Sequence, residues 1–416
     1  MTTPSSAPPK KSASASALQH LHASDARAVV QLATQATQGV ARIAEGVHQS
    51  VWATLGAPAG KTTDQTRGIT GLVYKSIHGV TQWLGAGADK ALAKLEPLLA
   101  FADAAPAESP QREAVLAALN GVMGDRLLAS RNPLATDMSL RFQGAALDWQ
   151  AMPAKTAVSG KILVLIHGLC MNDLQWTTQH SDALAIELGY TPVYVRYNTG
   201  LHTSENGAEF SKQLENLLQH WPVTVTDLTV LAHSMGGLVT RSALQLAQQQ
   251  GLAWPKSLKN IVFLGTPHHG APLERAGNWV DVLLGATPFS APFKRLAQLR
   301  SAGITDLRYG FVGDADWQGH DRFRREPDRR TPVPLPETVA CYTFAATTAS
   351  KRSPVADRLI GDGLVPLPSA LGQHADPLRT LHFPKNHQFI AYNTNHMALL
   401  NSPEVTRQVL SWLNDR

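Results

Sequence analysis

From about residue 138 onward the chain is built of short apolar runs separated by amphipathic stretches. The runs are KILVLI (161–166), PVYVRY (192–197), LTVLA (228–232), NIVFL (260–264), VACYTFA (339–345) and TLHF (380–383). Most are apolar at successive positions instead of alternating, which predicts strands buried on both faces. Helical spacing fills 177–189, 205–220 and 236–250, and a last helix ends at Trp412-Leu413. Strand and helix in alternation predict an α/β fold whose mostly parallel central sheet carries helices on both faces. MSLRFQ (138–143) and the returning Ala145–Trp149 predict an antiparallel hairpin at the sheet edge.

The first quarter of the chain has a different rhythm. Residues 1–20 are rich in Ser, Ala and Pro, which predicts a disordered tail. Apolar residues then recur at spacings of three and four from Val29 to Leu55 and again from Ile69 to Leu99, with a break at Gly56–Gly60. This predicts an N-terminal helical hairpin and linker over 21–110, followed by a helix at about 112–130 that opens a catalytic domain spanning 111–416. The hairpin's apolar face is expected to pack within the protein, with peripheral contact to a membrane or lipid surface as the alternative.

Composition narrows the classes. Of 416 residues 44% are apolar, and the formal charge is only +5, so the chain is expected to be globular. The densest basic stretch, Arg322–Arg330, is interleaved with Asp321, Glu326 and Asp328 and reads as a solvated loop. No nucleic-acid module is found, so no nucleic-acid partner is expected. Cys170 and Cys341 are too few for a disulfide framework and are expected to be reduced core thiols. The N-terminal basic pair is not followed by an apolar stretch, and no segment is long enough to span a bilayer. A cytoplasmic location is the expectation.

The chemistry gathers after the run 228–232. In Ala232-His233-Ser234-Met235-Gly236-Gly237 a serine is flanked by small residues two before and two after. Between a buried strand and a helix, that pattern marks a strained turn that exposes a nucleophilic hydroxyl. A serine hydroxyl needs a base within hydrogen-bond reach and an acid to orient that base. The acid candidate is Asp362, bracketed by Gly361 and Gly363; Asp306, Asp314, Asp316 and Asp357 are rivals in poorer context. The base candidate is His396, at the start of an apolar run leading to the last helix, with His387 as its rival. Two backbone N–H groups must meet the developing oxyanion, and Met235 and Leu169, in His167-Gly168-Leu169, are the candidates. The pair His268-His269 lacks a supporting carboxylate or cysteine set, so a loop bordering the site is expected there and no metal.

Together, IHGL (166–169), LAHSMGGLV (231–239), FLGTPHHGAP (263–272), GDGLVP (361–366) and NHMALL (395–400) resemble the lipase/esterase branch of the α/β-hydrolase superfamily. That branch includes bacterial triacylglycerol lipases and GPI inositol-deacylase-like hydrolases. The resemblance covers roughly 160–413 and implies a serine carboxylic-ester hydrolase with an acyl-enzyme intermediate, an ester or lipid substrate and no cofactor. It also implies a helical lid in the long insertion at about 271–336. An acyltransferase or thioesterase with the same three residues, or a non-catalytic protein of lipid or granule surfaces, are the alternatives.

Overall fold

The structure, a computed structural model, describes residues 110–271, 300–322, 327–350 and 361–414. The expected tail, the hairpin helices, the 272–299 part of the insertion and Asp357 lie outside the described residues.

In chain order the strands are β1 (Ser139–Phe142), β2 (Ala145–Ala146), β3 (Lys161–Ile166), β4 (Thr191–Arg196), β5 (Asp227–His233), β6 (Leu258–Leu264), β7 (Ala340–Ala346) and β8 (Gln388–Ala391). The helices are α1 (Pro110–Ala129), α2 (Thr178–Leu188), α3 (Thr203–His220), α4 (Met235–Gln250), α5 (Ala302–Asp306), α6 (Leu367–Ala370) and α7 (Pro403–Asn414). Among the described residues the strands form one eight-stranded sheet in the order β2-β1-β4-β3-β5-β6-β7-β8. Strand β1 pairs antiparallel with β2 and β4, and every other pairing is parallel.

The continuous apolar runs follow from this layering. Side chains alternate across a strand, so Ile162, Val164 and Ile166 join the core beneath α3 and α4. Leu163 and Leu165 enter the opposite core, with Leu184 of α2 and Val405, Val409 and Trp412 of α7. Full burial of one such side chain is worth roughly 1.5–3 kcal/mol, so both faces of β3 hold the central strands in place. No helix among the described residues is long and apolar enough to cross a membrane. Both cysteines are buried and free, as expected.

One strand assignment is corrected. TLHF (380–383) is not a strand; the sheet ends instead on Gln388–Ala391, whose Phe389 lies opposite Phe344 of β7. Leu381 donates to Gly372 O at 2.8 Å, and Leu381 and Phe383 enter the core beneath α4 from a loop. Their apolar character reports burial without ladder pairing. The return half of the edge hairpin also shortens to the two residues of β2.

Helix α1 is built into the structure through two kinds of contact. Leu119, Val122 and Leu127 share a core with Leu169, Met235 and Ile304. Beside them, Arg196 at the end of β4 reaches Asp173 at 2.5 Å and Glu113 of α1 at 2.9 Å. Arg141 of β1 reaches the other Asp173 oxygen at 3.0 Å. These side chains are almost fully buried, so each charge depends on its partners. Replacing Arg196 by Met is expected to destabilise the fold by about 3 kcal/mol, because two buried carboxylates lose a common partner. Urea unfolding measures this; a change under about 0.5 kcal/mol, the range of an ordinary surface substitution, would contradict the network's role.

Candidate active site

Strand β5 runs directly into α4, and Ser234 is the single residue between them. Its backbone lies at φ 54°, ψ −123°, a conformation that costs a side-chain-bearing residue about 1–3 kcal/mol. Neighbours hold it there. Ser234 N–H donates to Leu264 O of β6 at 2.9 Å, and Gly237 N–H donates to Ser234 O at 3.1 Å. A Cβ at Gly236 would lie 2.7 Å from the carbonyl oxygens of both Ile166 and His167. One at Gly168 would lie 2.8 Å from Ser234 Cβ. The small residues are therefore required by the approach of two backbones, as the spacing predicts. Ala232, the residue two before, is fully buried between Ile166 of β3 and Phe263 of β6.

Asp362 and His396, 34 residues apart, are brought together at 2.6 Å between Oδ2 and Nδ1. Gly361 and Gly363 have φ of 51° and 94°, and the turn they allow lets Asp362 Oδ1 accept N–H bonds from Leu364 at 2.9 Å and Val365 at 2.7 Å. The His396 N–H donates to Asp362 O at 3.0 Å, which ties the two loops by backbone as well. A carboxylate offers only acceptors, so His396 donates from Nδ1 and leaves the Nε2 lone pair exposed to the site. Among the described residues neither His396 Nε2 nor Ser234 Oγ, both buried, has a hydrogen-bond partner, so the two are not bonded to each other. The imidazole rests against Gly265, where a Cβ would come within 3.1 Å of its Cε1, directly after the Leu264 carbonyl that anchors Ser234.

Leu169 and Met235 are fully buried beside the serine. The Met235 amide opens α4, where a helix has no acceptor of its own to offer. The Leu169 amide donates to no acceptor among the described residues. The loop carrying it is fixed next door, where Cys170, at φ 58°, donates its N–H to Thr199 Oγ1 at 3.1 Å.

The rival residues are placed elsewhere. Asp306 holds His202 Nδ1 at 2.9 Å and the Thr203 N–H at 2.7 Å, at the start of α3. Asp316 accepts N–H bonds from Val312, Gly313 and Thr331, and Asp314 opens the same short turn. His387 immediately precedes β8, at the opposite end of that strand from His396, and bonds Cys341 O at 3.1 Å.

Two supporting residues were not singled out from the sequence. His233 sits directly before the serine, and its Nε2 donates to His396 O at 3.2 Å across 163 residues of chain. Burial, then the neighbouring His396 charge, push its pKa well below the usual histidine value, so it stays neutral beside the second imidazole. Tyr197 donates its hydroxyl to His167 O at 2.8 Å and stacks on the His167 ring at 4.5 Å. A fully polar residue inside a buried strand was the available signal for His233. Nothing local marks Tyr197.

A family model described as a domain of unknown function, DUF7379, matches residues 132–307. A comparison with curated proteins finds no match. Among solved structures, the mature form of the Bacillus licheniformis lipase BlEst2 is 19% identical, over 61% of this chain and 91% of that one, with a TM-score of 0.41. Aspergillus fumigatus lipase B is 10% identical over 92% and 83%, with a TM-score of 0.37. EstA from Clostridium botulinum is 13% identical over 62% and 87%, with a TM-score of 0.34. The chain's own sheet order, its antiparallel edge and the sharp serine turn after β5 are what decide the architecture. The chain has the α/β-hydrolase fold.

This α/β-hydrolase fold buries several neutral histidines. Burial lowers the pKa of His167 to about 4 and that of His269 to about 3, and it holds His233 and His268 well below the usual value. Their folded pKa values lie below the unfolded value near 6.5, so the unfolded chain binds more protons between those limits. The stabilisation is fully present above pH 6.5 and is lost as pH falls toward 4, at about 1.4 kcal/mol per pH unit for each such histidine. The urea midpoint is expected to fall clearly between pH 7 and pH 5; equal midpoints would contradict this.

Proposed function

We propose that the protein is a serine hydrolase of carboxylic esters, an esterase or lipase. The observation that carries this reading is the 2.6 Å contact of Asp362 with His396 in a site whose serine stands at positive φ between β5 and α4. Ser234 Oγ attacks the ester carbonyl while His396 Nε2 takes its proton. Asp362 holds the imidazole in the Nδ1–H tautomer and stabilises the imidazolium that forms. The amides of Met235 and Leu169 stabilise the oxyanion of the tetrahedral intermediate. The intermediate collapses with departure of the alcohol, which takes the proton from His396, and an acyl-Ser234 remains. Water, deprotonated by His396, then attacks the acyl carbon; the bond to Ser234 Oγ breaks as Oγ takes that proton back from His396, and the acid is released.

Among the described residues Ser234 Oγ and His396 Nε2 have no hydrogen-bond partner, so neither group is committed to a structural bond and both are available to a reacting ester. The substrate class that this chemistry calls for is an ester or lipid, whose carbonyl carbon the serine attacks. Purified protein is expected to hydrolyse p-nitrophenyl butyrate, and Ser234→Ala to lower kcat by about a thousandfold or more. Equal rates for the two proteins would refute the reading. Asp362→Asn is expected to lower kcat strongly while leaving KM nearly unchanged, because the residue acts through the base.

A further inference from the structure

The Leu169 amide takes its direction from the peptide plane between Gly168 and Leu169, and a glycine by itself leaves that plane free to turn. The chain on either side is pinned at two backbone groups. Before it, the His167 carbonyl accepts the Tyr197 hydroxyl at 2.8 Å, and the two rings stack at 4.5 Å. After it, the Cys170 N–H donates to Thr199 Oγ1 at 3.1 Å while Cys170 stands at φ 58°. Tyr197 and Thr199 are two residues apart in the segment that leaves β4, and both are buried. Burial pushes the Tyr197 pKa up, so its hydroxyl remains a donor.

Helix α1 packs on the same loop. A Cβ at Gly121 would lie 2.9 Å from Cys170 Cα and 3.0 Å from Cys170 N, so even a methyl group there would push on the loop's backbone. The helix is also bound to the segment that carries the two pins. Asn198 Nδ2 donates to Gly124 O at 3.1 Å, and a Cβ at Gly200 would lie 2.7 Å from Gly124 N. Glycine weakens a helix interior, and the two glycines three residues apart in α1 are accounted for by these close approaches. The helix ends at Ala129, before the region matched by the family model begins at residue 132.

An oxyanion donor lowers the barrier only if it is aimed in advance at the place where charge develops. We propose that Tyr197, Thr199 and Gly121 are positioning residues that aim the Leu169 amide at the reacting carbonyl oxygen, which makes α1 a working part of the site. This rests on the ester-hydrolase reading above. Each of the three acts through the backbone of 167–170: Tyr197 on the carbonyl before the donor, Thr199 on the amide after it, and Gly121 by the space it leaves for Cys170.

Steady-state hydrolysis of p-nitrophenyl butyrate by the full chain, with inhibition by butylboronic acid, tests it. The boron bonds to Ser234 Oγ, whose proton passes to His396, and a boronate oxygen then lies against the same amides. A misaimed donor therefore raises the boronate Ki, whereas a smaller folded fraction lowers the rate and leaves Ki unchanged. Tyr197→Phe, Thr199→Val and Gly121→Ala are each expected to lower kcat about tenfold or more with KM within about twofold, and to raise Ki by a similar factor. Thr199→Ser keeps the hydroxyl and is expected to stay within about threefold of wild type. The pH profile is expected to keep its wild-type midpoint in all four, because Asp362 and His396 are untouched. If Gly121→Ala does not fold, the two Thr199 variants decide. Wild-type kcat and Ki in the variants, a lowered kcat with unchanged Ki, or Thr199→Ser as slow as Thr199→Val would overturn the assignment and leave the hydrolase reading standing. A wild type without esterase activity would overturn that reading, and the assignment with it.

Discussion

The site depends on the close approach of the loop after β3 to the turn between β5 and α4. Gly236 abuts the Ile166 and His167 carbonyls, and Gly168 abuts Ser234 itself, so two backbones meet where no Cβ fits. That contact confines Ser234 to positive φ and sets the Leu169 and Met235 amides beside it. The sheet supplies the force that keeps the contact closed. Strand β3 is buried on both faces and paired in parallel on both sides, so it cannot retreat without opening two cores at once. Strain at the serine is thus stored in the turn and offset by burial elsewhere.

The second half of the site is held by polar contacts instead of packing. Asp362 is fixed by two amides of its own turn, and it fixes His396 by side chain and backbone together. His233 adds a bond from the strand that carries the serine to the carbonyl of His396. The imidazole is therefore positioned from both chain segments that the proposed reaction requires to meet. A neutral His233 serves this purpose because a second charge at that distance would oppose the imidazolium the mechanism calls for.

Much of this was legible in the sequence, for identifiable reasons. Strands β3, β5 and β6 were apparent because burial on both faces writes a continuous apolar run. Strand β8 was not: of Gln388–Ala391 only Ala391 is fully buried, whereas Leu381 and Phe383 are core residues without being strand residues. The serine turn is a local constraint and is therefore written in five consecutive residues. The pairing of Asp362 with His396 was indicated only by chain order and by the glycines that allow the turn. Arg196, Tyr197 and Thr199 act through contacts across 23 to 83 residues of chain, and their individual positions give no local sign of it.

Covalent capture is the direct test of Ser234 as the nucleophile. A fluorophosphonate incubated with the native protein, followed by digestion and mass spectrometry, is predicted to leave one phosphonyl group on Ser234. Denatured protein is predicted to take up none, because reactivity depends on His396 and the oxyanion amides being in place. Absence of labelling in the native protein, or labelling at a serine other than Ser234, would contradict the account.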